Sequence, residues 1–258
     1  MQLDIDVVLD FDLTQGDAAL LMIEAAKQHG QHILGSALDI RGAELRKLGA
    51  VDPLDQRILA RVSNNRLQTR YAASVKVTRA DRALEQLAAS PMDALPAEAL
   101  PYLRPSRFCP SDMFGQIVSK NFAHLHGGAM VAAMRDWVGA ALSYVPGSSD
   151  ASTSAMDTYN AREGVCRDYA HLVCSFARAA GIPARYVSGY GPDVTPQDFH
   201  AVAEVWLEGG WHLVDATGMS TPNTLIVIGA GRDCGDVAFL ETQNHAEFRE
   251  LRVCVSRA

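Results

Sequence analysis

Apolar and polar positions alternate with period two at both ends of the first eighty residues. Leu3, Ile5, Val7 and Leu9 alternate with polar neighbours, as do Tyr71, Ala73, Val75 and Val77, and this pattern predicts half-buried β-strands. Residues 18–28 (AALLMIEAAKQ) have helical propensity, but their setting among strands favours a strand. Asn64-Asn65 reads as a turn before the last strand of this block. Residues 1–80 are therefore expected to form an N-terminal β-rich domain.

The pattern then changes. Pro91, Pro96, Pro101, Pro105 and Pro110 punctuate residues 81–110, a connector with short helical pieces. Beyond it, Ser111-Asp112 can cap a helix running to about Leu125, and Val131, Met134, Val138 and Leu142 predict a second helix from Gly128 to Tyr144. Residues 166–180 form a further helix, closed by Gly181. Strands are expected at 184–190, 200–207 and 211–216, with 223–228 and 249–255 adding to the same sheet. Helices followed by strands, without βαβ alternation, predict an α+β domain over 111–258 with an antiparallel sheet.

Composition narrows the function. The chain has 258 residues, with 23 Lys+Arg against 30 Asp+Glu, a net charge of −7. With no basic run, a nucleic-acid partner is not expected. No apolar run reaches the length of a membrane span. The N-terminus carries Asp4, Asp6, Asp10 and Asp12 where a signal peptide needs cations, so the expected location is cytoplasmic. Five cysteines, an odd number without CxxC spacing, argue against a disulfide framework or a zinc site. No cofactor and no metal are expected, and four of the five thiols read as packed small hydrophobes.

Cys166 differs from the others. It follows Gly164-Val165 at the start of its helix, where free N–H groups and the positive end of the helix dipole favour a thiolate. Cys174 lies in the apolar middle of the same helix. A nucleophilic thiol needs a base, and strand parity supplies one. A register pairing Trp206 with Trp211 sets Val202 opposite Asp215, placing His200 on the face of Asp215 and one diagonal step away. A four-residue loop at 207–210 gives that register. A two-residue loop at Gly209-Gly210 would separate the pair by a further step. The same parity turns His212 to the opposite face, and His171 lies about 140° around the helix from Cys166. The expected set is Cys166 as nucleophile, His200 as acid and base, and Asp215 as the group that orients the imidazole. The Cys166 backbone N–H is one oxyanion donor; Asn160 and Tyr159 are candidates for the second.

The blocks Gly164-Val165-Cys166-Arg167-Asp168-Tyr169, Gly181-Ile182-Pro183-Ala184-Arg185, Phe199-His200-Ala201 and Trp211-His212-Leu213-Val214-Asp215-Ala216-Thr217 resemble the bacterial transglutaminase-like superfamily, in its cysteine-protease type. The resemblance runs from about Tyr102 to Asp233. It implies a papain-like core, a helix carrying the cysteine packed on an antiparallel sheet, with Cys166, His200 and Asp215 in the family's three catalytic positions. It also implies a peptide or protein substrate. Ala216 stands where relatives often have proline. No acidic cluster has calcium-loop spacing, so the metal dependence of animal transglutaminases is not expected. Hydrolysis of a peptide or amide bond through a thioester is the leading expectation. Acyl transfer to an amine, or a binding module that kept the fold, are the alternatives.

Overall fold

Strand β1 (Gln2–Leu13) buries every second side chain, so one face of the N-terminal sheet must be covered. The computed structural model describes residues 1–14, 16–48 and 52–258. In it, β1 lies between β6 (Arg66–Val77) and β14 (Ala246–Arg257), and β3 (Gln31–Ile40) extends the sheet beyond β6. A second antiparallel sheet runs β13 (Leu240–Thr242), β2 (Ala18–Leu21), β5 (Arg57–Val62), β4 (Ala43–Leu48). Leu3, Val7, Leu21, Ala60 and Leu67 from both sheets join one apolar core with Tyr186, Tyr190 and Ile226 of the second half.

Two expectations change here. The strand in 18–28 stops at Leu21. The C-terminal strand does not join the sheet of 184–216, and it pairs with β1 from Leu3↔Arg257 to Leu13↔Ala246. Residues 240–257 thus complete the N-terminal sheets, so 111–258 is not a self-contained unit. Alternation identifies a strand but not its partner.

The connector crosses the surface in 3-10 turns at Leu84–Gln86, Met92–Ala94 and Leu100–Leu103. Ser111–Met113 forms another such turn, and helix α1 (Gly115–Phe122) begins without the expected side-chain cap from Ser111 or Asp112. Helix α2 (Gly127–Ala141) ends before Tyr144. Ser143–Tyr144 instead forms the short strand β7, parallel to β8 (Glu163–Gly164), with α3 (Ala155–Ala161) between them.

Helix α4 (Cys166–Ala179) runs from Cys166 to a left-handed Gly181, φ +75°. It packs on a central antiparallel sheet ordered β11 (Gly210–Val214), β10 (His200–Leu207), β9 (Ala184–Tyr190), β12 (Ile226–Gly231). All eight residues of β10 are buried, because helices cover one face and the N-terminal half covers the other. Phe114, Phe122, Trp137 and Tyr159 surround Phe176 of α4 with ring centroids 5.4–6.4 Å away. This packing fixes α4, and therefore Cys166, relative to the sheet.

Candidate active site

The backbone places three of the predicted residues at one end of the central sheet. Cys166 opens α4 directly after the extended Val165, φ −113° and ψ −178°, and is half-buried. Gly164 is required on the approach, since a Cβ there would come within 2.7 Å of the Asp168 Cβ. His200 is the first residue of β10. The β10–β11 ladder pairs Trp206 with Trp211 and Ala203 with Val214, which is the expected register. It closes one pair further than expected, at Leu207↔Gly210. Glu208 and Gly209, with φ of 49° and 77°, form the two-residue turn.

Asp215 follows immediately and reaches His200. The His200 Nε2 to Asp215 Oδ2 distance is 2.7 Å, with side-chain exposures of 0% and 6%. Asp215 is itself held by four donors: Oδ1 accepts from the Thr217 N–H (2.8 Å) and hydroxyl (2.6 Å), and Oδ2 from His200 and from the Ser220 hydroxyl (2.7 Å). Gly139 lets α2 approach this loop, because a Cβ would meet the Ala216 carbonyl oxygen at 2.8 Å. Burial penalises the Asp215 charge, but the bonds from His200, Ser220 and Thr217 prevail and hold the carboxyl below its usual range.

Burial likewise opposes a charged imidazole. Asp215 and Cys166 outweigh it and raise His200 to about 9. With Nε2 committed to Asp215, Nδ1 is the nitrogen left for the sulfur. It is buried and has no aligned hydrogen-bond partner among the described residues, while Cys166 lies within hydrogen-bonding reach of the ring. An imidazole that keeps its proton at neutral pH beside a thiol can give that proton to a leaving group.

A sequence profile of the transglutaminase-like superfamily matches residues 118–216, which contain all three residues. A solved structure from Cytophaga hutchinsonii, provisionally named a cysteine protease, superposes with a TM-score of 0.92 at 30% identity, covering 99% of this chain and 90% of that one. The chain belongs to the transglutaminase-like superfamily. An uncharacterized protein of Mycobacterium leprae is 35% identical over 150 residues, and the match covers 54% of this chain and 53% of that protein. The chain thus spans about half the length of that relative. A protein-glutamine gamma-glutamyltransferase of Pseudomonas aeruginosa is 38% identical over 78 residues, 26% of this chain and 12% of that protein.

One residue beside Cys166 was missed by sequence reasoning. Tyr144 lies on β7, and its hydroxyl sits where both the Cys166 sulfur and the Cys166 backbone N–H act on it. Burial, then the charge on Cys166, push that hydroxyl up to about 12. Extending helix α2 through residue 144 concealed it. The aromatic at the end of the helical run, just before Pro146-Gly147, was the available signal. The earlier candidates sit elsewhere: Tyr159 stacks on Trp137 at 5.7 Å in the helical core, and Asn160 is exposed.

The remaining thiols and imidazoles sort by burial. Cys109 and Cys174 are buried. Cys234 is half-buried, its thiol pushed up to about 12 by desolvation. Cys254 is exposed on β14, contrary to the packed role expected of it. His212 Nε2 donates to the Leu207 carbonyl at 3.1 Å, away from Asp215 as parity required. Arg232 pairs with Asp236 at 2.8 Å, while Asp233 accepts from the Gly235 and Phe108 N–H groups. Both brace the loop after β12. Among the described residues no helix is long and apolar enough to cross a membrane.

Proposed function

We propose that this transglutaminase-like chain is a thiol-dependent hydrolase of peptide or amide bonds, with Cys166, His200 and Asp215 as its catalytic triad. The observation that carries the reading is the buried His200 Nε2–Asp215 Oδ2 pair at 2.7 Å, which leaves Nδ1 for the helix-start cysteine. The Cys166 sulfur adds to the acyl carbon, and the C–N bond breaks as His200 delivers a proton to the departing amine. Water then attacks the thioester carbon, His200 takes the proton from that water, and the thiol is restored as the carboxylate leaves. Asp215 keeps the imidazole oriented and favours its charged form. The Cys166 backbone N–H, at the first turn of α4, and the Tyr144 hydroxyl beside it are the two donors for the tetrahedral oxyanion. The substrate is a peptide or protein.

The match to a protein-glutamine gamma-glutamyltransferase supports a second reading, in which an amine replaces water at the thioester. Both are tested by screening a peptide and amide library against the wild type and Cys166→Ala. Hydrolysis predicts an acid and an amine product whose masses together equal the substrate plus one water, and both vanish in Cys166→Ala. Adding a fluorescent amine tests transfer, which predicts an amine adduct. Equal turnover by Cys166→Ala would sink both.

A further inference from the structure

Asp168 is a fully buried carboxylate two residues after Cys166, in the first turn of α4. An anion next to a reacting thiol is costly unless it is neutralised and bonded, and here both conditions are met. Oδ1 accepts from Arg167 Nε at 3.2 Å and Nη2 at 3.1 Å; Oδ2 accepts from the Val165 N–H at 2.9 Å and the Ser149 hydroxyl at 2.6 Å. A carboxylate that merely capped α4 would need only the Val165 bond. The other bonds reach across the chain. Ser149 belongs to the loop that leaves Tyr144, and Arg167 Nη2 also donates to the Asp150 carbonyl at 2.8 Å. Immediately flanking Tyr144, the Ser143 N–H donates to the Arg162 carbonyl at 2.9 Å and the Val145 N–H to the Gly164 carbonyl at 3.0 Å. Tyr144 is therefore held from both sides against the residues that lead into Cys166.

We propose that Asp168, through Ser149 and Arg167, is a positioning residue that sets the Tyr144 hydroxyl as an oxyanion donor beside the Cys166 N–H. The inference rests on the reading of Tyr144 given above. Asp168 touches no reacting atom. Its carboxylate joins the first turn of α4 to the 145–150 loop, so sulfur, backbone N–H and phenol share one rigid frame. A displacement on the order of 1 Å at such a donor is enough to lose most of its effect.

The test compares two reactions of Cys166. Acetylation by p-nitrophenyl acetate passes through an oxyanion: the sulfur bonds to the carbonyl carbon, p-nitrophenolate leaves, and an acetyl thioester remains. Alkylation by iodoacetamide displaces iodide and forms no oxyanion. The ratio of the two rates, read by mass on the Cys166 peptide, therefore reports the oxyanion donors and not thiol reactivity. Tyr144→Phe is expected to lower the ratio roughly 100-fold. Ser149→Ala and Asp168→Asn are each expected to lower it about tenfold, with no further loss when combined with Tyr144→Phe, and Ser149→Thr is expected to restore it. An unchanged ratio in folded Ser149→Ala, with Tyr144→Phe impaired, would overturn the positioning role and leave the oxyanion reading standing. An unchanged ratio in Tyr144→Phe would overturn both.

Discussion

Acid should destabilise this protein through one histidine that the proposed chemistry does not use. His171 is completely buried on α4, stacked on Phe108 at 5.6 Å and against Tyr186 at 5.0 Å. Its Nε2 accepts the Cys234 backbone N–H at 3.2 Å, so the neutral ring carries its proton on Nδ1, which has no partner among the described residues. Protonating Nε2 would break that bond and bury a charge. Burial, only partly offset by Asp233 and reinforced by Arg167 and Arg178, pushes His171 down to about 3. The unfolded chain binds its proton near 6.5 and the folded chain does not, so stability falls as pH drops below about 6.5. At pH 5 the gap is about 1.5 pH units, or about 2 kcal/mol at 1.36 kcal/mol per unit. His200 does not mask this, because its raised value makes its contribution complete below 6.5. The assay is urea unfolding of the wild type and His171→Gln, whose amide oxygen can take the Cys234 N–H. Carboxylates common to both cancel in the difference. The wild-type advantage at pH 7.5 should shrink by about 2 kcal/mol at pH 5. A constant difference between the two pH values would refute the argument.

Other consequences follow from the same geometry. His200 is raised to about 9, so the stabilisation from its pair with Asp215 is complete below 6.5 and lost as pH rises through about 9, some 3 kcal/mol in all. An NMR titration should place the wild-type imidazole midpoint near 9 and at least about one unit lower in Asp215→Asn. A wild-type midpoint near 6.5 would contradict this. Phe176→Ala removes the ring at the centre of the helical core and should cost about 3–5 kcal/mol in denaturant unfolding, and a loss below about 1 kcal/mol would show that the cluster does not anchor α4. Gly139→Val drives a side chain into the Ala216 carbonyl, and should slow Cys166 acetylation with less effect on thermal stability than Phe176→Ala. A variant acetylated at the wild-type rate would show that α2 does not locate Asp215.

The central sheet was the most legible part of the sequence because both of its signals are local. The β10 and β9 boundaries follow from apolar runs between turn residues, and parity puts His200 and Asp215 on one face; the Trp206–Trp211 register needed the further choice of the longer loop over a two-residue loop at Gly209-Gly210. Non-local choices were not. Whether 249–255 pairs with β9 or with β1 depends on which apolar face lacks a cover, which no window of sequence contains. Tyr144 was hidden for a related reason. Helical spacing through Leu142 continues naturally into Tyr144, and only the pairing with Glu163–Gly164, twenty residues later, turns the chain into a strand. The loop over Glu208 and Gly209 shows a third limit: a non-glycine residue adopts a left-handed φ of 49° there, which composition alone discourages.

The account stands most directly on the reactivity of one sulfur. Sub-stoichiometric iodoacetamide at neutral pH, followed by peptide mapping, ranks all five thiols in one experiment. Cys166 should be labelled at least about tenfold faster than the exposed Cys254, Cys109, Cys174 and Cys234 should remain unlabelled, and His200→Ala should abolish the advantage of Cys166. Labelling of Cys254 ahead of Cys166, or a Cys166 rate that His200→Ala leaves unchanged, would contradict the account.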